Sequence, residues 1–147
     1  MAFMFACSGP PKLEEGERYF EGSVPFEYAE SCMVSCILSA DGQSVRRTRI
    51  NMKKWSFEYA WRRGSQSRNI KENTASKSIS LAGVHQLDAN GNVEITTRDI
   101  TMRFSIIPNR ASGEMEYRYR TRSGDRMTIN IPLGTYPFVM EDKTDSL

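Results

Sequence analysis

Residues 113–132, GEMEYRYRTRSGDRMTINIP, alternate between apolar and charged positions with a period of two, which is the signature of half-buried strands. A three-residue loop at 122–124 sets Tyr119 against Met127, Tyr117 against Ile129 and Met115 against Ile131, so that every apolar residue shares a face. A slip of one residue would turn that whole set outward. The outer face of this hairpin then holds Arg118, Arg120 and Arg122 on one strand, with Arg126 directly opposite Arg120.

The same punctuation recurs three more times. ADG at 40–42, ANG at 89–91 and ASG at 111–113 each end in glycine after Asp, Asn or Ser, the chemistry of a hairpin loop whose last residue sits in the left-handed region. Loop 89–91 pairs Leu87 with Val93 and His85 with Ile95, and it predicts strands over 79–88, 92–99 and 100–107. Residues 31–39 and 44–52 flank ADG as another hairpin. Residues 53–62 supply a further strand and ERYFEGSV an early one. About eight strands with no helical stripe predict an all-β antiparallel meander, closed as a barrel or stacked as a two-sheet sandwich.

Residues 63–77, RGSQSRNIKENTASK, lack hydrophobic periodicity and are long for a connection, so they read as a functional or mobile loop. Pro10, Pro11 and KLEEGE suggest an extended arm over 1–16, and residues 141–147 a solvated tail. The segment 17–140 between them is expected to be one domain. A chain of 147 residues buries enough surface on folding to need neither a disulfide nor a metal.

The stretch KKWSFEYAWRR, 53–63, places Trp55, Phe57, Tyr59 and Trp61 at alternate positions between basic pairs. Packing against a second sheet is the first expectation. Two alternatives stand beside it. Together with Tyr117 and Tyr119 the row could line a lipocalin-like cavity for a small apolar ligand, or it could offer stacking faces to nucleic-acid bases.

Charge sharpens the functional reading. Net charge is only +2, yet residues 31–140 carry 17 basic and 9 acidic residues while both termini are acidic, and 14 of the 20 basic residues are arginine. Arginine pairs bidentately with phosphate and carboxylate. Either the acidic ends fold back on the basic centre or that centre meets an anionic partner. The candidate contacts are Arg118, Arg120, Arg122 and Arg126 on the last hairpin, and Arg46, Arg47, Arg49, Lys53 and Lys54 on the run VRRTRINMKK.

Catalytic machinery does not assemble from these residues. His85 is the single histidine and falls on the apolar face of its strand, and no phosphate loop, nucleophile elbow or zinc-protease pattern is present. Cys7, Cys32 and Cys36 are few and odd in number, with Cys32 and Cys36 expected as buried apolar side chains, and no metal or other cofactor is expected. No apolar run is long enough for a transmembrane helix.

The expected function is therefore a non-enzymatic binding or structural protein. Its partner would be an anionic polymer, nucleic acid or lipid headgroups, or an acidic protein surface, with a homo-oligomer or virion assembly as the setting. Free cysteines and the absence of a usual signal peptide suit a cytoplasmic or virion-associated protein. The motif MFACSG keeps open a bacterial surface lipoprotein lipidated at Cys7, with its leader upstream of the residues given.

Overall fold

The computed structural model describes residues 11–25, 30–63, 66–97, 100–117, 127–129 and 134–147, and of these the backbone alone for 55–63, 66–77, Tyr117 and 127–129. Nine strands account for most of it: β1 (Arg18–Ser23), β2 (Ser31–Leu38), β3 (Ser44–Arg63), β4 (Gln66–Gln86), β5 (Asn92–Thr96), β6 (Ile100–Ile106), β7 (Arg110–Tyr117), β8 (Met127–Ile129) and β9 (Gly134–Asp142). Eight of them follow the order β4-β3-β2-β1-β9-β7-β6-β5 in one sheet, every ladder antiparallel, and β8 joins at β3. The ends of that path, β4 and β5, come together, so the sheet is a nearly closed barrel. The expected all-β antiparallel architecture is present, in its barrel form.

Two meanders build it. β1 to β4 turn back and forth as one unit, β5 to β7 as another, and β9 zips them together by pairing with β1 through Val139–Asp142 and with β7 through Gly134–Glu141. Alternate residues point inward along each strand. Phe20, Val34, Cys36, Val45, Ile50, Met52, Met102, Met115 and Met140 are all buried in one continuous core. That interior is filled with side chains, as expected of an eight-strand barrel.

Glycine shapes the wall at Gly113, where a Cβ would lie 1.9 Å from the Arg103 carbonyl oxygen and 2.5 Å from the Phe104 Cα. Strands β6 and β7 approach too closely there for any side chain. ASG at 111–113 is accordingly strand, not turn: Pro108 and Asn109 make the reversal, closed by the Ile107 amide on the Arg110 carbonyl at 2.9 Å. Gly42 and Gly91 do occupy turns, with φ of 73° and 81°.

Other pairings differ from those the alternation predicts. The turn at 89–91 forms, with the Asp88 amide 2.9 Å from the Asn92 carbonyl, but its strands diverge at once: His85 pairs with Val45, Val93 with Phe104 and Ile95 with Met102. Tyr117 pairs with Ile100 and Gly134, whereas Ile129 pairs with Tyr59 and Met127 with Trp61. Both edges of β7 are thus occupied, and the Tyr117–Ile129 register cannot form. Residues 66–77, read as a loop, continue β4 and pair with β3 out to Arg63↔Gln66; backbone hydrogen bonds need no apolar periodicity.

At the C-terminus, β9 passes residue 140, and a 3-10 turn at Thr144–Ser146 folds back on β1. Tyr19 donates its amide to Thr144 Oγ1 at 2.9 Å, and Arg18 forms an ion pair with Asp142.

Candidate anion-binding face

Strand β3 carries the basic run and leaves the barrel with it. Its pairing with β2 ends at Lys53, while its pairing with β4 continues to Arg63, so residues 54–63 and their β4 partners extend past β2 as a ribbon of roughly 33 Å. Near its far end β8 takes the edge that β2 has vacated, through Tyr59, Ala60 and Trp61.

Two irregularities break the run. Arg47 has φ of 51° and drops out of both ladders, which step from Arg46 to Thr48 or Arg49 on β3 and from Val84 to Leu81 on β4. Ala82 and Gly83, the latter at φ 96°, are the unpaired residues opposite. This is a β-bulge, and it resets the alternation. Val45, Thr48, Ile50 and Met52 are consequently buried, while Arg47 is exposed and Arg49 half-buried. A simple period of two instead grouped Arg47 and Arg49 with Val45. Lys54, also at φ 51°, marks a second irregularity where the ladder steps from Met52↔Lys77 to Trp55↔Ala75.

The cations of the run fall into two groups. Arg46 is neutralised: Nε and Nη2 donate to the two Glu17 carboxylate oxygens at 2.8 and 2.7 Å, and Nη2 also reaches the Lys12 carbonyl at 3.3 Å. The hydrogen bond from Arg46 holds the Glu17 carboxyl down at about 2. Lys54 meets Glu30 at 3.0 Å, and that contact lowers the Glu30 carboxyl. Acidic residues near the N-terminus thus do fold back, and among the described residues of the run they meet Arg46 and Lys54. Arg47, Arg49 and Lys53 have no carboxylate partner among the described residues.

Arg49 is the most constrained of the three. Its Nη2 donates to Ser78 Oγ at 3.5 Å, and Ser78 Oγ donates in turn to Asn51 Oδ1 at 2.7 Å, but the buried Nε–H has no acceptor. Arg47, Thr48 and Arg49 line an open pocket of about 170 Å³ with Ser80, Leu81 and Gly83. His85 braces the bulge by donating from Nε2 to the Ala82 carbonyl at 3.0 Å. The sequence signal for this pocket was Gly83 inside a strand pattern, which marks a bulge.

The remaining candidates sit elsewhere. Trp55, Phe57, Tyr59 and Trp61 occupy β3 positions paired with Ala75, Asn73, Ile70 and Arg68, and their side chains, like that of Tyr117 at the end of β7, lie outside what is described. Arg118, Tyr119, Arg120, Arg122 and Arg126 lie outside the described residues altogether.

A cluster that sequence reasoning missed surrounds Arg103, which contacts Glu94 at 2.7 Å, Glu116 at 3.0 Å and Glu114 at 3.5 Å across β5, β6 and β7. Finding it requires the β6–β7 register, which the misplaced turn concealed. Arg103 and Glu94 also edge a groove of about 730 Å³ floored by Leu87, Val93 and Phe104, where β4 turns into β5. Cys32 and Cys36 are buried and unpaired, and burial pushes their thiols up to about 11 and about 12. Among the described residues no group of His, Cys, Asp and Glu is placed to hold a metal ion, and no helix is long and apolar enough to cross a membrane.

No protein-family model, no curated protein and no solved structure matches this chain.

Proposed function

We propose that this protein is a non-enzymatic nucleic-acid-binding protein that contacts phosphate backbone through the basic face and ribbon of β3 and β4. The observation that carries this reading is where the charge lies. Residues 53–77 hold seven basic and two acidic residues, against thirteen and sixteen in the rest of the chain, and this is the part of the hairpin that runs beyond β2. Positive charge is concentrated on this ribbon, while the negative excess of the chain lies in residues 1–30 and 141–147. Such a layout steers a polyanion to the ribbon. Over residues 54–58, short of β8, the ribbon is two-stranded, the cross-section that the major groove of a duplex admits. Its four interleaved aromatics are the residue types on which unpaired bases stack. A packaging or accessory role in a nucleic-acid-containing particle fits the same chemistry.

Retention of single-stranded and duplex oligonucleotides should be measured at two salt concentrations, beside vesicles containing an anionic lipid. Binding that weakens steeply with salt is expected for oligonucleotides. Changing Arg62, Arg63 and Arg68 together to serine should flatten the log–log salt slope by about 2 to 3, since each phosphate contact contributes roughly 0.9. Retention on vesicles alone, or a salt slope unchanged in the triple variant, would overturn the reading.

A further inference from the structure

We infer that the groove where β4 turns into β5 is the docking site for the basic β3–β4 ribbon of a second copy of this chain. The inference goes beyond the nucleic-acid reading and does not depend on it, although the ribbon serves in both.

The groove is acidic and open. Asp88, Glu94 and Glu114 line it together with a single cation, Arg103. That guanidinium is already shared among Glu94, Glu114 and Glu116, so one positive charge stands against three carboxylates, and Asp88 adds to the excess. The excess is within reach of a partner, because the Glu94 and Glu114 side chains are 59% and 44% exposed. The groove holds about 730 Å³, a volume that elsewhere encloses a small organic molecule, and so has room for more than one arginine side chain.

The backbone at the same place calls for a peptide rather than a small cation. Among the described strands β5 pairs with β6 alone. The Gly91 carbonyl accepts from the Ile106 amide at 3.0 Å, and the Thr97 amide donates to the Ile100 carbonyl at 2.7 Å. By the alternation of an antiparallel ladder, Val93 and Ile95 between them also turn their main-chain groups to β6. Asn92 is engaged with Asp88 on the opposite side. Glu94 and Thr96 therefore direct N–H and C=O to the outer edge of β5, where no described strand pairs with them. Such an edge is a template for an added strand.

The chain supplies the complement itself. Residues 59–71 hold Arg62, Arg63, Arg68 and Lys71 and no acidic residue, and they form the end of the ribbon, where Arg63 pairs with Gln66. Arginine donates to two oxygens of one carboxylate at once. Groove and ribbon end lie at opposite ends of β4, whose ladder with β3 runs from Ser44↔Gln86 beside the groove to Arg63↔Gln66, up to about 65 Å of strand. An intact ladder holds the ribbon end away from the groove of its own chain, so the contact forms between copies. It joins two different surfaces head to tail and repeats into a ring or a filament.

Sedimentation velocity of the full chain, freed of nucleic acid and run over a range of concentrations at low and high ionic strength, tests the proposal. The expected result is association that grows with concentration at low salt and dissolves as salt rises. Glu94→Gln with Glu114→Gln, and separately Arg62→Ser, Arg63→Ser and Arg68→Ser together, should each weaken association at least about tenfold, the loss of one hydrogen bond between charged groups. Mixed in equal amounts, the two variants should form a pair that stops at two chains, because each keeps one half of the contact. Thr96→Pro removes an edge N–H without touching the β6 ladder and provides a second groove variant, also expected to associate weakly, if the double change fails to fold. A parent that stays monomeric at low salt, a folded groove variant that assembles like the parent, or no pairing in the mixture of folded variants would overturn the inference. So would a monomer that binds a free arginine-rich peptide, which would assign the groove to a different protein. The two readings fail separately: oligonucleotide retention without self-association removes this inference alone, and self-association without oligonucleotide retention removes the nucleic-acid reading alone.

Discussion

Arg46 on β3 and Glu17, just ahead of β1, form a two-point ion pair at 2.8 and 2.7 Å in which the carboxylate side chain is only 8% exposed. Ile37, the β2 neighbour of Arg46 in the ladder, is fully buried although it stands apart from the core cluster. The pair therefore ties the chain ahead of the barrel to its wall, and takes one cation out of the candidate binding face.

That tie should make stability pH-dependent in a defined window. The Glu17 carboxyl is lowered from 4.5 to about 2, so the folded state favours its ionised form. The contribution is fully present above pH 4.5 and is lost as pH falls toward about 2. Because Arg46 is 35% exposed, water screens the interaction, and about 1 kcal/mol is expected rather than the full value of the shift. Chemical denaturation of the parent and Glu17→Gln at pH 7 and pH 3 checks this. The two should differ at pH 7 and by clearly less at pH 3, and the gap should close only as pH approaches about 2.

Gly113→Ala should damage the barrel far more than a methyl group normally does. The added Cβ would collide with backbone, the Arg103 carbonyl and Phe104 Cα, and backbone in a paired ladder cannot step aside as a flexible side chain can. Overpacking of this kind costs roughly 3 kcal/mol. A urea midpoint within experimental error of the parent would show that β6 and β7 are not in such close contact.

Cys32 and Cys36 should resist thiol reagents in the native protein. Burial raises both thiols to about 11 and about 12, which suppresses the thiolate, the reactive species. In a Cys7→Ser background, a disulfide-forming reagent at pH 8 should modify neither residue until denaturant unfolds the chain. Rapid modification of one thiol under native conditions would place it in an open environment.

Turn chemistry and alternation disclosed strand content, the buried cysteines and the turns at Gly42 and Gly91, because those depend on neighbours in sequence. Pairing across the barrel did not follow from them. Nothing local to Tyr117 reveals that β6 and β9 occupy both its edges, so a hairpin with Ile129 looked self-consistent. Gly113 imitated a turn signal because close backbone approach and positive φ both select glycine. Residues 66–77 imitated a loop because their ladder with β3 is written in backbone, not in side-chain pattern. Within the candidate site, the basic run was legible as composition; which of its members are neutralised was not, since Glu17 lies 29 positions from Arg46.

The bulge offers a test of backbone strain against side-chain packing. Arg47 and Lys54 both hold φ of 51°, a region that costs an L-residue roughly 1 kcal/mol relative to glycine. Glycine removes that strain, but it also widens the unfolded ensemble, which returns about half of the gain. Arg47→Gly should therefore raise stability slightly, by about 0.5 kcal/mol, although it deletes a large charged side chain. Lys54→Gly should show a gain of the same sign, because the contact with Glu30 it removes is an exposed ion pair of little worth. Denaturant midpoints of the parent and both variants decide the matter. If Arg47→Gly is destabilised, the arginine side chain is holding the bulge together, and its positive φ is a packing requirement rather than a removable strain.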